Sequence, residues 1–146
     1  MNLILAKVRA EGAIALACAS SGIAATLLAG GRTAHSTFKI PLNLMASESP
    51  VCAISRNSKE AELLRRAKVI VLDECSMLNK RAYEAIDRLM QDLKGNTSLM
   101  GGITFVAVGD FRQCLPVIAR GTSADQLRYM LKSSYLWNSV AVSYPL

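Results

Sequence analysis

The fold of this chain is decided by the apolar stretch Val69-Ile70-Val71-Leu72, which ends abruptly in Asp73-Glu74. Consecutive aliphatic residues bounded by polar ones are typical of a strand that is covered on both faces, as in a parallel sheet. The run from Ile103 to Val108 contains a single polar residue, and the run from Ala13 to Cys18 contains none. We therefore predict three buried strands.

Helical patterns alternate with these strands, which favours an α/β domain with a parallel sheet. One helix is predicted from apolar residues that recur at helical spacing, namely Leu78, Ala82, Ile86, Leu89 and Leu93. Gly95 is expected to end this helix, because glycine readily adopts the left-handed conformation of a C-terminal cap.

Two shorter helices are predicted from cap signals. The first follows Ser58 and carries Ala61, Leu64 and Ala67 on its apolar side. The second follows Ser123, where the Ser-x-x-Gln pattern to Gln126 resembles a capping box.

The remaining segments are less regular. Residues Thr33 to Asn57 are interpreted mostly as a long loop, and long loops in compact domains are often functional. Asn2 to Ala10 resembles the end of an amphipathic helix that begins before Met1, and Val140 to Leu146 resembles a strand that is entered and then cut. We therefore expect residues 1–146 to be a fragment of a longer protein.

Composition narrows the class of protein. The chain has 146 residues, 17 Lys and Arg against 11 Asp and Glu, a net charge of +6 and 51% hydrophobic residues, which indicates one globular domain. The four cysteines are far apart and form no C-x-x-C pair, so neither a zinc ribbon nor a disulfide scaffold is indicated. The uncharged stretch between Glu11 and Arg32 is rich in Ala, Gly and Ser, which disfavours a membrane span. Its apolar core, Ala13 to Ala19, is at the short limit for a secretory signal, which is disfavoured as well.

The carboxyl ends of the predicted strands are the places to look for a ligand site. An apolar strand that ends in Asp-Glu is the Walker B arrangement of nucleoside triphosphatases. There the first carboxylate holds Mg²⁺, commonly through water, and the second polarises the attacking water. The alternative is that Asp73 and Glu74 only cap the following helix.

The run from Ile103 to Val108 ends in Gly109-Asp110-Phe111-Arg112-Gln113. A glutamine beyond a strand next to the Walker B strand can hydrogen-bond a γ-phosphate and report its loss. The alternative is an ordinary loop with a turn.

Three motifs together resemble the Pif1-type DNA helicases (the petite integration frequency family). They are the segments Ser20 to Ala25 with Gly30 to Phe38, Asp73 to Met77, and Gly109 to Val117. The resemblance spans roughly residues 1–140. It implies a RecA-like P-loop domain from a superfamily-one motor that uses ATP to move five-prime to three-prime on single-stranded DNA.

The resemblance also implies roles for individual residues. Asp73 would be the carboxylate associated with Mg²⁺, Glu74 the general base and Gln113 the phosphate sensor, with Asp110 beside them in the ATP site. Cys75 and Cys114 stand where the family commonly has small or apolar residues, and both are interpreted as structural.

The first motif would contact the DNA backbone. Small hydroxyls, backbone N–H groups and a helix start all suit phosphate. The implied DNA-binding residues are Ser20, Ser21, Gly22, Thr33, His35, Ser36 and Phe38. His35 could equally be a loop histidine bonded to backbone, and Phe38 could stack on a base or belong to the core.

Two features of the family pattern are absent from the 146 residues. There is no G-x-x-x-x-G-K-[ST] loop, which the resemblance places upstream of Met1, and Gly30-Gly31-Arg32-Thr33 does not substitute for it. There is also no second motor domain. We therefore expect a partial first RecA-like motor domain that is inactive by itself.

The basic excess is compatible with a nucleic acid partner. Arg65, Arg66 and Lys68 form a cluster, although a solvated helix end is the more usual explanation of such a run. His35 is the only histidine, which excludes a site with several histidines.

The main hypothesis is the core of an ATP-dependent DNA helicase that uses ATP and Mg²⁺ and acts on single-stranded and forked or structured DNA. Repair, recombination and telomere maintenance are the roles that the resemblance implies. An intracellular location is expected, in the nucleus first and the mitochondrion second, with no membrane partner. The alternative is a non-catalytic helicase remnant, from a mobile element for example, that binds DNA weakly at most.

Overall fold

The structure is a computed structural model that describes residues 1–113 and 115–143. Its parallel sheet has four strands in the order β2-β1-β3-β4. The strands are β1 (Ile14–Ala19), β2 (Arg32–Thr33), β3 (Ala67–Asp73) and β4 (Thr104–Ala107). The helices are α1 (Asn2–Ala10), α2 (Gly22–Thr26), α3 (Ala34–Phe38), α4 (Lys59–Arg66), α5 (Lys80–Lys94) and α6 (Ser123–Tyr129).

The two central strands, β1 and β3, are paired from Ile14 to Ala19, with a register shift between Ile14 and Ala15. Leu16 is opposite Ile70 and Ala19 is opposite Asp73, so both strands end at the same level. Side chains alternate between the two faces of a strand. Ala15, Ala17 and Ala19 accordingly face one core, and Cys18 faces the other.

Helices cover both faces of the sheet. Leu5 of α1 and the alanines of α2 pack on the alanine face of β1. Leu64 of α4 and Ile86 of α5 pack on the opposite face against Ile70. This three-layer α/β arrangement confirms the predicted fold class and places the polar ends of the strands at one edge.

The three predicted buried strands and the long helix are confirmed, with bounds that shift by one or a few residues. Gly95 caps α5 in the left-handed conformation, with φ of 67°. The Ser58 cap of α4 is confirmed, since its side chain accepts a hydrogen bond from the Ala61 N–H. Ala67 is the first residue of β3 rather than part of the helix, because the chain turns extended at that point.

Three expectations about secondary structure were wrong in part. Residues 33–57 contain α3, and β2 precedes it. The cap of α6 is a capping box between Thr122 and Asp125, not one between Ser123 and Gln126. Residues 140–143 form no strand, and the rest of that predicted strand, 144–146, lies outside the described residues, as does Cys114.

Three of the cysteines, Cys18, Cys52 and Cys75, are buried free thiols. Burial raises the pKa of Cys18 to about 12 and that of Cys75 to about 11, the second with help from Glu74 and Asp73. Cys75 is therefore a protonated core residue, consistent with its structural interpretation. Among the described residues, no helix is long and apolar enough to cross a membrane.

Candidate functional site

The ends of β1, β3 and β4 meet at one edge of the sheet. The Ser20 N–H, just after β1, donates to the Asp73 carbonyl over 3.2 Å. The Val108 N–H, just after β4, donates to the Leu72 carbonyl over 2.8 Å. These bonds bring the three sequence motifs side by side, as the strand pattern predicted.

The turn that carries Asp73 and Glu74 has an unusual backbone. Glu74 has φ of 53° and ψ of 44°, the left-handed region that costs an ordinary residue on the order of 1 kcal/mol. The Asp73 Oδ1 accepts a hydrogen bond from the Glu74 N–H at 2.9 Å. Such backbone strain persists only where neighbouring contacts impose it, and it is frequent at functional sites.

Cys75 supplies those contacts. Its N–H donates to the Val108 carbonyl over 2.8 Å, and its carbonyl accepts from the Tyr83 hydroxyl over 2.7 Å. Burial raises the pKa of Tyr83 well above its usual value, so the phenol remains a donor. The turn after β3 is therefore fixed both to β4 and to α5.

Gly109 completes this packing. A Cβ at position 109 would lie 2.8 Å from the Cys75 backbone nitrogen and 2.9 Å from its Sγ. Only glycine allows β4 to leave the sheet so close to the turn. The roles of Tyr83 and Gly109 were not predicted from the sequence. The signals were a tyrosine on the apolar face of α5 and a glycine directly after an apolar strand.

The Asp-Glu turn does not act as a side-chain cap. Glu74 precedes a short 3₁₀ turn, Cys75–Met77, but makes no side-chain hydrogen bond to it. For Glu74, the structure therefore does not support the alternative that the acid only caps the following helix. Both acidic residues are half-buried.

The residues that follow β4, 109–113, form a compact polar loop. Asp110 accepts hydrogen bonds from the Arg112 guanidinium at 3.0 and 3.2 Å and from the Gln113 side-chain amide at 3.1 Å. The Arg112 hydrogen bonds are the main reason that the pKa of Asp110 falls to about 2. Gln113 is thus exposed but bonded to Asp110 in this conformation.

Aromatic residues adjoin this loop. Phe111 packs edge-on against Trp137, with ring centroids 5.8 Å apart. The Lys132 ammonium lies 4.7 Å from the centre of the Phe111 ring, which is within cation–π range. The C-terminal segment therefore supports the loop from outside the sheet.

The first motif is organised around two short helices. The Ser21 hydroxyl caps α2 by accepting from the Ala24 N–H, and the Thr33 hydroxyl caps α3 by accepting from the Ser36 N–H. Thr33 is opposite Ala19 in the sheet, so both caps lie at the same edge. Gly22 is exposed, and a Cβ there would meet nothing within 4 Å.

His35 and Ser36 lie in the first turn of α3. His35 is half-buried and burial lowers its pKa, so the neutral imidazole is the form present at neutral pH. Ser36 is exposed. These two residues are placed where a ligand at the edge of the sheet can reach them.

Phe38 is a correction to the predicted set. Its ring is 0% exposed and belongs to the main core cluster. The amphipathic turn of α3 points this residue inward, so in this conformation it cannot stack on a base. The alternative that Phe38 is a core residue is the one that the structure supports.

The polar side chains at this edge suit a Mg²⁺ ion that is shared with a nucleotide. The described residues contain no group of three or more His, Cys, Asp or Glu side chains arranged to hold a metal ion. Mg²⁺ in nucleotide sites commonly takes only one or two carboxylates and completes its shell with phosphates and water. Asp73 and Glu74 fit such a shared site, and the buried hydroxyl of Ser20, which has no hydrogen-bond partner in the described chain, leaves one further polar atom free there.

Comparisons with known proteins agree with this geometry. The sequence model of the PIF1-like helicase family matches residues 1–144. The chain is 31% identical over 131 residues to the ATP-dependent DNA helicase Pif1 of a Psychrobacter species, an alignment that covers 89% of this chain and 20% of the relative.

Solved structures show the same fold. One is a Pif1 helicase from Bacteroides in complex with ADP–AlF3 and single-stranded DNA, at 25% identity and a TM-score of 0.68, covering 84% of this chain and 29% of that one. Another, from a study of DNA unwinding at forked duplex DNA by two coordinating Pif1 helicases, has 25% identity and a TM-score of 0.72, covering 94% and 34%. This chain thus spans about a fifth of the Psychrobacter relative and about a third of the solved chains. The sheet order, the flanking helices and the three motifs agree with the match to the family model. The chain belongs to the PIF1-like helicase family.

Proposed function

We propose that these residues form part of the first motor domain of an ATP-dependent DNA helicase. The observation that carries the proposal is the strained Asp73-Glu74 turn at the end of a central strand, fixed directly against the exit of β4. Backbone constraint of this kind fixes the direction in which the Glu74 side chain leaves the main chain, and a general base must be positioned within reach of the proton that it accepts.

Each acid has its own task in this proposal. Asp73 would hold Mg²⁺, and the bound ion would neutralise charge on the phosphates of ATP. Glu74 would accept the proton of the attacking water. Because adjacent residues at a strand end point in different directions, one can face the metal while the other faces the water.

Gln113 would act as the phosphate sensor. Its amide now donates to Asp110, so contact with a γ-phosphate requires this bond to exchange for one to the nucleotide. Asp110 would remain paired with Arg112, and this pair would keep the loop folded while Gln113 changes partner. This exchange would transmit the state of the nucleotide to the aromatic pair Phe111 and Trp137.

Single-stranded DNA would contact the first motif. Gly22 is exposed, and the capping hydroxyls of Ser21 and Thr33 lie at the same edge and are of the type that binds phosphate. The Ser20 hydroxyl is buried in this conformation, so a contact with DNA would require it to become accessible. His35, being neutral, would donate or accept a hydrogen bond rather than form an ion pair. Forked DNA as substrate, and roles in repair, recombination and telomere maintenance in the nucleus or mitochondrion, are part of the same proposal.

The alternative function is that of a non-catalytic remnant. In this case the family fold persists and DNA is bound weakly at most.

One experiment separates the two proposals. The protein encoded by the complete transcript that contains these residues should be purified and assayed for ATP hydrolysis with and without single-stranded DNA. Hydrolysis that DNA stimulates, together with strand separation on a forked substrate, is the expected result. A well-folded protein that hydrolyses no ATP in either condition would contradict the helicase proposal and leave the remnant.

A further inference from the structure

The opposite end of the sheet carries a basic depression. It has a volume of about 390 Å³ and lies at the amino ends of β3 and β4, where Val69 is opposite Thr104. Its lining residues are Arg65, Arg66, Ala67, Lys68, Lys94, Gly102, Ile103 and Thr104. We call this the amino-end depression. It contains four cations and no carboxylate.

The four cations come from three different elements. Arg65 and Arg66 end α4, Lys68 is near the start of β3, and Lys94 ends α5. The sequence indicated only the first three, as a solvated helix end. The packing of α4 against α5 adds Lys94 and turns the run into a concave surface.

Among the residues that the structure describes, Arg65 is the one cation of the amino-end depression that is paired with an acid. Its guanidinium lies 3.1 Å from Glu62 and also donates to the Arg56 carbonyl. Among the described residues, Arg66, Lys68 and Lys94 form no ion pair with a carboxylate. The charge of the depression is therefore largely uncompensated.

Lys94 is held in place rather than free to move away. Its ammonium donates to the carbonyls of Arg65 and Ala67, which fixes it beside the other cations. Burial, and then the neighbouring Lys68, lower the pKa of Lys94, which is the sign expected where positive charges crowd together. An anion in the depression would relieve this repulsion.

A second depression on the same protein gives the contrast. It has a similar volume of about 390 Å³ and also contains two arginines, Arg56 and Arg88. Asp92 lines it as well and lies 3.5 Å from Arg56. Because Asp92 already neutralises part of the positive charge in this second depression, an external anion would be attracted to it less strongly.

We propose that the amino-end depression binds the phosphodiester backbone of DNA, as a second contact surface separate from the first motif. The chemistry fits, since arginine and lysine neutralise phosphates and release counterions. The exposed hydroxyl of Thr104 supplies a neutral donor at its rim. Along β3 the two surfaces lie about 20 Å apart, so one phosphate cannot occupy both.

The test uses the 146-residue chain and a short fluorescent duplex, with binding measured by anisotropy at several salt concentrations. The variant Arg66→Ala/Lys68→Ala removes two exposed cations and leaves Lys94, whose ammonium also supports the backbone. The matched control is Lys59→Ala/Arg128→Ala, which removes the same charge from exposed positions outside the depression. Circular dichroism melts show whether each variant is folded.

We expect the depression variant to reduce the slope of log K against log salt by roughly two, at about 0.9 for each phosphate that is no longer neutralised, while the control changes it much less. Equal slopes for the two variants would show a general charge effect and overturn the proposal. Full displacement of the duplex by an equimolar amount of inorganic phosphate would also overturn it, by showing a site for small free anions.

This proposal does not rest on the helicase function. If the depression variant binds duplex DNA as the parent does, while His35→Ala weakens binding of single-stranded DNA, only the second surface fails. If instead the depression variant weakens duplex binding and His35→Ala leaves single-strand binding unchanged, the second surface is supported and the role assigned to the first motif fails.

Discussion

At the carboxyl end of β3 the backbone is held by specific contacts, whereas at its amino end two of the cations, Arg66 and Lys68, are exposed side chains outside the described ion pairs. Glu74 adopts a left-handed conformation that Val108, Tyr83 and Gly109 impose through Cys75. Arg66 and Lys68 are exposed side chains on regular backbone. The difference follows from the chemistry proposed for each end, because proton transfer depends on orientation and attraction of a phosphate depends mainly on charge.

We expect that small changes in side-chain contacts at the carboxyl end of β3 lower the free energy of unfolding, whereas removal of charge at the amino end of β3 leaves it nearly unchanged. We therefore use Arg66→Ala/Lys68→Ala as the common reference in the unfolding experiments below. Substitutions of exposed residues away from special contacts usually change stability by less than about 0.5 kcal/mol.

The largest expected effect is that of Phe38→Ala. Because this ring is fully buried, its removal should lower the free energy of unfolding by about 3–5 kcal/mol. Urea unfolding of the 146-residue chain measures the change, with Ser36→Ala as a control on the exposed side of the same helix. A decrease of less than about 1 kcal/mol would show that the ring is not part of the core and would reopen its role in stacking on DNA.

A smaller decrease is expected for Gly109→Ala. The added Cβ would meet the backbone of Cys75 and should cost about 1–3 kcal/mol. The matched control is Gly22→Ala, where the same methyl group meets nothing within 4 Å. Equal stability of the two variants would mean that the β4 exit is not packed against the Asp-Glu turn.

Tyr83→Phe should cost about 1 kcal/mol, because it removes one buried hydrogen bond to the Cys75 carbonyl and leaves the ring in place. Tyr129→Phe is the control, since that ring lies beside Lys80 and Arg81 near the surface. In a catalytically active protein the Tyr83 variant should also lower kcat more than it raises KM. An unchanged kcat would remove Tyr83 from the positioning of Glu74.

The smallest expected effect is a dependence on pH. The pKa of Asp110 is lowered to about 2 in the folded chain, so its contribution to stability is present above the unfolded pKa of about 3.9 and is lost as pH falls toward 2. The difference in unfolding free energy between the parent and Asp110→Asn should shrink over this range. Parallel curves would show that the bonds to Arg112 and Gln113 contribute nothing in solution.

Much of the carboxyl end could be predicted from the sequence. Apolar runs that end in polar residues identify β1, β3 and β4, and parallel strands bring their ends together. The local pattern could not predict β2, because two residues show no alternation. It also could not assign Phe38, since a single aromatic in a short helix has the same spacing whether it faces the core or solvent.

The amino end was less predictable for a different reason. Arg65, Arg66 and Lys68 are adjacent in sequence, but Lys94 joins them only through the packing of α4 on α5. Tyr83 and Cys75 likewise meet through tertiary contact, eight residues apart. Contacts of this kind depend on register and helix packing, which a single sequence does not specify.

The most direct test of the account is the rate of ATP hydrolysis by Glu74→Gln in the protein from the complete transcript, with saturating single-stranded DNA. Glu48→Gln, which removes an exposed acid from the loop before α4, is the matched control. Loss of a general base predicts a turnover lower by ~10²–10⁴ for the Glu74 variant and an unchanged turnover for the control. Full turnover in a folded Glu74→Gln protein would contradict the assignment of the Asp73-Glu74 turn as the catalytic centre.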